Sequence, residues 1–368
     1  MNYMDKLDDE VRSILEHCGF DTIPFERLTG DLVSKGFSPE ANRLKGEIQL
    51  LEPTAISQMP SDGKERQRLF EIGRDAIALG QVGVVILNGG MATRFGGTAK
   101  GIVPAVHGRS FLDLKLSQVA LASEGKSSAL LMNSFATAKA TASHIEKLSL
   151  DLEVRGFNQM VSLRLTPSGD LFLDGEGKPS LYAPGHGDLP FALTHSGELG
   201  RFIERGGRFL TVSNVDNLAA SLDPVVIGCH IDGGKPMTVE LVKTNPGDVG
   251  GFPAVVNGRT CIVEAFRIPK TFNPHSIPYF NTNTFVFDAS FLQRNFDLQW
   301  FAVLKKVSGA EVVQFERLVG QLTEWSEVTW LLVPREGALS RFVPIKTVSD
   351  LDKEADSLEA VLSWQGVL

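Results

Sequence analysis

Two cations and six glycines crowd one short stretch of this 368-residue chain, VGVVILNGGMATRFGGTAKG from Val82 to Gly101. Gly89, Gly90, Gly96 and Gly97 lack a Cβ, so backbone N–H groups there can approach an anion closely, and Arg94 and Lys100 add positive charge. That combination suits a polyphosphate. Glycine-rich turns between a strand and a helix also serve purely steric ends, so the loop alone leaves its ligand open.

The elements around the loop have a clear rhythm. Val84–Leu87 is an apolar run of the kind found in buried parallel strands. Upstream, residues 1–80 read as a helical segment packed on the core. Leu7, Val11, Ile14 and Leu15 recur at helical spacing, Ser38-Pro39 looks like a helix start, and a further helix runs from Asp62 to about Gly80. Downstream, Ser110–Ala122 has one apolar helical face, and Thr137–Leu148 is a second helix. Candidate strands are Ala129–Met132, Val161–Leu165, Phe209–Ser213, Thr238–Val242, Thr284–Phe287 and Phe342–Ile345. Strands alternating with helices imply an α/β fold, a mostly parallel sheet with helices on both faces. Ligands of such sheets bind beyond the carboxyl ends of the strands. The loops of interest are therefore 88–101, Asn133-Ser134 and Asn214 to Asn217. Residues 81–351 form the core on this reading. A Pro- and Gly-rich β insertion at about 245–280 faces the substrate side, and 352–368 is a C-terminal helix.

Composition excludes several function classes. The chain is 43% hydrophobic and 22% charged with net charge −8, which disfavours nonspecific attraction to nucleic acid. Cys18, Cys229 and Cys261 have neither zinc-ligand nor disulfide spacing, which points to a reducing cytoplasm. The N-terminus lacks a signal-peptide pattern, and no apolar run is long enough to span a membrane.

The loop fits neither of two common nucleotide motifs. A dinucleotide site needs G-x-G-x-x-G and an acidic ribose ligand about 20 residues on. Here the glycines come in adjacent pairs, and the second strand ends in Asn133. A P-loop needs Lys followed by Ser or Thr, and Lys100 precedes Gly101. A nucleotidyltransferase loop folded over a triphosphate remains. LNGGMATRFGGTAKG resembles the signature loop of the UTP–sugar-1-phosphate uridylyltransferases, the UDP-glucose pyrophosphorylase family. Further matches follow in order: SFLDLKLSQ (110–118), LMNSFAT (131–137), GFNQ (156–159), APGHGD (183–188), SNVDNLAA (213–220), FNTNTFVF (280–287) and RFVPIKTVSDL (341–351). The TRFG and KG portions are also similar to UDP-N-acetylhexosamine pyrophosphorylases.

The resemblance implies a Rossmann-like nucleotidyltransferase fold that joins UTP to a hexose 1-phosphate, glucose 1-phosphate first, and releases pyrophosphate. It implies that Leu87, Asn88, Gly89, Gly90, Met91, Gln159, Gly185 and Gly187 hold the nucleotide. Lys100, Lys346 and Arg94 are the implied catalytic cations. His186, Asn214, Asn281, Asn283, Glu264 and Lys243 would serve the sugar phosphate, and Asp216 would bind Mg²⁺, a hard cation suited to few carboxylates plus phosphates. Read as local structure alone, Asp216 is a cap, His186 a turn residue, Asn281 and Asn283 turn caps, and Lys346 a solvated lysine. The implied mechanism is in-line attack of the sugar phosphate on the α-phosphorus of UTP, with no protein nucleophile.

Three departures stand out. Ala92 replaces a loop glycine, Gly101 replaces the serine after the lysine, and Met160-Val161-Ser162-Leu163 replaces a basic, proline-containing stretch. The chain also stops soon after Lys346, where eukaryotic-type members carry a C-terminal β-helix, so a monomer or small homo-oligomer is expected. The competing expectations are an N-acetylhexosamine 1-phosphate uridylyltransferase and a non-catalytic UTP- or UDP-sugar-binding homologue.

Overall fold

A computed structural model describes residues 7–92 and 98–368, without the side chains of Met91 and Ala92. Eight strands form the central sheet: β1 (Ile56–Gln58), β2 (Val82–Leu87), β3 (Ser128–Asn133), β4 (Glu153–Asn158), β5 (Phe209–Asn214), β6 (Met237–Lys243), β7 (Tyr279–Asp288) and β8 (Val328–Leu332). Their order across the sheet is β1-β8-β6-β7-β5-β2-β3-β4. Every neighbouring pair is parallel except the two made by β7, which runs against β6 and β5.

The two-residue side-chain period of β2 explains why both faces must be covered. Val82, Val84 and Ile86 enter one apolar cluster and Val85 and Leu87 the other. The first face is covered by α3 (Gly63–Ala78), α4 (Phe111–Ser123), α5 (Ala138–Ile145), α8 (Pro224–Gly233) and α10 (Ala355–Trp364), and the opposite face by α6 (Leu189–His195) and α7 (Glu198–Glu204). Helices α3 and α8 approach closely because glycines meet backbone: a Cβ on Gly73 would run into the Pro224 carbonyl, and one on Gly228 into that of Leu69. Ser110 caps α4 by accepting from the Asp113 N–H at 3.0 Å, the local signal that ends the preceding hairpin.

The N-terminal segment differs from the helical reading. It holds α1 (Asp9–His17) and α2 (Thr22–Lys35), but also β1 and a short strand Ile48–Leu50. Ile48–Leu50 extends the hairpin Phe252–Val256/Arg259–Val263, which lies within residues 245–280, into a three-stranded sheet. Leu15 of α1 and Phe25 and Leu32 of α2 pack with Leu163, Leu165, Val313 and Phe315, an outer β layer and not the central sheet. The strand expected at Phe342–Ile345 is an isolated bridge between Asn217 and Pro344. Past Lys346 the described residues form α9 (Val348–Lys353) and α10, in place of one helix. No helix among the described residues is long and apolar enough to cross a membrane.

Candidate active site

Parallel register brings four loops to one edge. Asn214 stands opposite Leu87, Leu87 opposite Met132, and Asn133 opposite Asn158. The segments that follow these residues therefore emerge side by side, at the carboxyl edge where open α/β sheets bind ligands.

The first of them is the glycine turn. Asn88 is fully buried and donates from Nδ2 to Asn133 Oδ1 at 2.7 Å and to Thr141 Oγ1 at 2.9 Å. Gln159 leaves β4 with its N–H on the Asn133 carbonyl at 2.7 Å, and its amide lies where a Cβ on Gly89 would be. A side chain at Gly89 would have to displace the Gln159 amide. Met91–Ala92 pairs antiparallel with Thr98–Ala99. This extended backbone suits alanine as well as glycine, so the Ala92 departure is accommodated. Gly101 is explained too: its Cβ would collide with Asn88 Oδ1 and Leu112. Arg94 lies outside the described residues.

Asp216 follows β5 and is the electrostatic centre of the edge. Its Oδ2 accepts from Lys100 Nζ at 2.7 Å and from Lys346 Nζ at 3.0 Å. Lys100 also donates to the Ile345 carbonyl at 2.5 Å. The side chains of Lys100 and Asp216 are largely buried, while that of Lys346 is 52% exposed. Burial alone pushes the Asp216 carboxyl up, but Lys346 and Lys100 outweigh it and hold it below the usual carboxylate range. Its other oxygen, Oδ1, is buried and has no hydrogen-bond partner. An ionised, unpartnered carboxylate oxygen beside an open edge is a suitable single ligand for a hard divalent cation whose other ligands come from substrate. No group of three or more His, Cys, Asp or Glu side chains arranged for a metal occurs among the described residues.

On the other side of Asp216, Asn281 and Asn283 sit at a bulge in β7. Val239 opposes Phe285 but Leu241 opposes Asn281, so Thr282, Asn283 and Thr284 face Glu240 alone. Asn283 takes φ +57°, a conformation that asparagine tolerates better than most residues. Its Nδ2 donates to Asn214 Oδ1 at 3.0 Å, tying the motif to the end of β5. Bulges of this kind re-aim side chains beside functional sites. Lys243, exposed at the end of β6, reaches the same edge one strand further out. Glu264 comes from the insertion: a Cβ on Gly251 would stand 2.9 Å from Glu264 Oε1, and the Gly251 carbonyl accepts from Asn281 N–H at 2.8 Å. Burial raises the Glu264 carboxyl to about 7, with Arg267 opposing the rise.

The Gly185–Asp188 turn lies beside Gln159, whose Nε2 donates to the Gly185 carbonyl at 3.5 Å. Gly185 has φ +102°, and Cβ atoms on Gly185 or Gly187 would meet the backbone of Arg317. His186 Nδ1 accepts the Val319 N–H at 3.0 Å. Burial, and secondarily Lys346, lower its pKa to about 4, so it is a neutral imidazole protonated on Nε2. Beneath the turn, buried Asp188 accepts from Arg317 at 2.5 Å, and the guanidinium lies 4.1 Å from the ring centres of both Phe191 and Trp300.

Sequence reasoning missed the groups behind the edge: Lys115, Asn217, Glu240, Arg341, Asp188 and Arg317. One signal was present. Lys115 lies four residues from both Phe111 and Val119, on the apolar face of its helix, where a lysine is out of place unless paired.

This fold is similar to that of solved UDP-glucose and UDP-N-acetylglucosamine pyrophosphorylases. A UDP-glucose pyrophosphorylase variant from Leishmania major superposes with TM-score 0.73 at 24% identity, covering 94% of this chain and 78% of that one. The uridine diphosphate N-acetylglucosamine pyrophosphorylase of Trypanosoma brucei also gives 0.73, at 18% identity over 95% of this chain and 81% of that one. The chain itself belongs to the UTP–glucose-1-phosphate uridylyltransferase family, whose model matches residues 42–357. The Saccharomyces cerevisiae enzyme of that name is 33% identical over 297 residues, 74% of this chain and 59% of its own length. The Hordeum vulgare one is 31% identical over 290 residues, 73% and 60%. The chain thus spans about three-fifths of the length of these two relatives.

Proposed function

We propose that this chain is a Mg²⁺-dependent uridylyltransferase that joins UTP to glucose 1-phosphate, giving UDP-glucose and pyrophosphate. The observation that carries the reading is the Lys100–Asp216–Lys346 cluster, set beside the Gly89–Gly90 turn at the carboxyl edge of the sheet. Family membership selects the substrates among those such a cluster could serve.

The residues divide the work by charge. Leu87, Asn88, Gly89, Gly90 and Met91 supply backbone to the nucleotide, with Gln159, Gly185 and Gly187 across from them. His186, Asn214, Asn281, Asn283, Glu264 and Lys243 form the sugar-phosphate side. Asn281 and Asn283 offer amides that both donate and accept, the chemistry needed for neighbouring hydroxyls. Lys100 and Lys346 share one carboxylate oxygen, and incoming phosphate oxygens replace it as their partner. Arg94 belongs to the same loop and is assigned to the phosphates with them. Asp216, through Oδ1, is the protein ligand to Mg²⁺, which neutralises phosphate charge when bound. The sugar phosphate is already ionised, so its oxygen bonds to the α-phosphorus of UTP while the α–β bridging bond breaks and its electron pair leaves on pyrophosphate. Positioning and charge neutralisation are the whole of the protein's contribution.

Pyrophosphate release measured with glucose, galactose and N-acetylglucosamine 1-phosphates tests the reading. Glucose 1-phosphate gives the highest kcat/KM. Preference for N-acetylglucosamine 1-phosphate replaces the sugar assignment, and UTP binding without turnover on any sugar replaces the enzyme by a binding protein. Three free cysteines, two of them buried, support a cytoplasmic location. We carry forward a monomer or small homo-oligomer as the working assembly, checked by light scattering.

A further inference from the structure

We propose that Lys115 is a positioning residue for Asp216: a buried amine that fixes the turn carrying the metal carboxylate and never touches substrate. This rests on the function proposed above. Helix α4 carries Lys115 on its apolar face, where it is 2% exposed. Its Nζ donates to the Asn217 carbonyl at 2.8 Å and the Ala220 carbonyl at 2.9 Å. Both carbonyls lie in the irregular segment just after Asp216. Burying an amine at a helix position that would otherwise be apolar costs several kcal/mol unless its hydrogens are used, and here two of them end on this one turn.

The same turn is gripped from its other side. The Ile345 N–H donates to the Asp216 carbonyl at 3.0 Å. Asn217 donates from Nδ2 to the Arg341 carbonyl at 3.0 Å and accepts the Val343 N–H on Oδ1 at 3.0 Å. Arg341 is held by Glu240, at 2.6 and 2.7 Å. The Glu240 carbonyl accepts the Thr282 hydroxyl at 3.0 Å, between Asn281 and Asn283. Asp216 is therefore clamped between Lys115 below and the 341–345 segment beside it, and the second clamp reaches the sugar-side asparagines. The charged groups around Lys115 are Asp216, Arg341 and Glu240. Charged or neutral, an amine donates at least two hydrogens, so the clamp does not depend on its protonation state.

The test compares wild type with Lys115→Met, which keeps length and removes the donor, and Lys115→Arg, which restores one. Outer-sphere losses of this kind commonly cost about 10- to 100-fold in metal affinity or activity. Lys115→Met should raise the Mg²⁺ concentration for half-maximal rate and lower kcat within that range, with little change in the KM for sugar phosphate. Amide exchange in peptides 214–221 and 341–346 should quicken while that of β2 and β5 stays unchanged. Melting temperature should fall, since Lys115→Met leaves the buried Asn217 and Ala220 carbonyls without this donor, and Lys115→Arg should recover part of the Mg²⁺ requirement. Wild-type exchange and Mg²⁺ requirement in Lys115→Met overturn the proposal; so does faster exchange with kcat and Mg²⁺ requirement intact, which marks a purely structural role. Should Lys115→Met not fold, the same readouts on Lys115→Gln decide. If wild type itself has no turnover, the proposed function fails separately, and exchange together with Mn²⁺ affinity in the presence of UTP still judges Lys115.

Discussion

Asp216 uses its two oxygens differently. Oδ2 takes both lysines and Oδ1 takes no one. Asp216→Asn keeps the shape and removes the charge that Lys100 and Lys346 share. Loss of a preorganised charge at a phosphoryl centre costs on the order of 100-fold or more in rate. That loss is expected in kcat at saturating Mg²⁺, and near-normal turnover would remove Asp216 from the metal role. His186 has a pH signature. Its imidazole accepts from Val319 and titrates near 4, against about 6.5 when unfolded. Between those pH values the unfolded chain binds more protons, so this site loses stability as pH falls from about 6.5 to 4. Nitrogen-15 NMR should show His186 protonated only on Nε2 at pH 6, whereas a doubly protonated ring there contradicts the assignment. Gly101 shows how a residue that breaks a pattern is read too literally. The sequence suggests a missing hydroxyl; the packing shows a site with no room for any side chain, because Asn88 and Leu112 fill it. Gly101→Ser is expected to destabilise by about 1–3 kcal/mol through overpacking, measured by urea unfolding.

Elements were legible where they were long and periodic. The apolar run after Val82, the helix after Ser110 and the strand ending at Asn214 all stand close to where periodicity puts them. The three-residue strands at Ile48 and Ile56 are too short to show a period. The segment 342–345 looks like a strand, yet its N–H groups at Val343 and Ile345 go to Asn217 Oδ1 and the Asp216 carbonyl, so it serves the site and not a ladder. The bulge at Asn281–Asn283 is equally invisible, since β-branched and aromatic residues continue through it. Contacts between elements are hidden for a related reason. Nothing local marks Gly73 and Gly228 as the points where α3 meets α8. Gly73→Ala should cost about 1–3 kcal/mol or more by driving the helices apart. Gly30→Ala, in α2 with open space around it, should be neutral or stabilise by about 0.5–1 kcal/mol. Equal effects in thermal melts would contradict this account of the α3–α8 contact.

At the scale of the whole molecule, several of the motifs collinear from 84 to 351 end a strand at one edge, at Leu87, Asn133, Asn158 and Asn214, while SFLDLKLSQ is helix α4 and FNTNTFVF lies within β7. What sequence reasoning left out lies behind that edge. Buried polar groups such as Lys115, Glu240 and Arg341 are defined by partners about 100 residues away or more, and no local pattern announces them. The central claim is that this edge transfers a uridylyl group from UTP to a sugar phosphate. Phosphorus-31 NMR of the protein mixed with UTP, glucose 1-phosphate and Mg²⁺ tests it most directly. The account predicts that the resonances of UTP and glucose 1-phosphate fall together while those of UDP-glucose and pyrophosphate rise in equal amounts. Unchanged substrate, or UTP broken down with glucose 1-phosphate left intact, would contradict it.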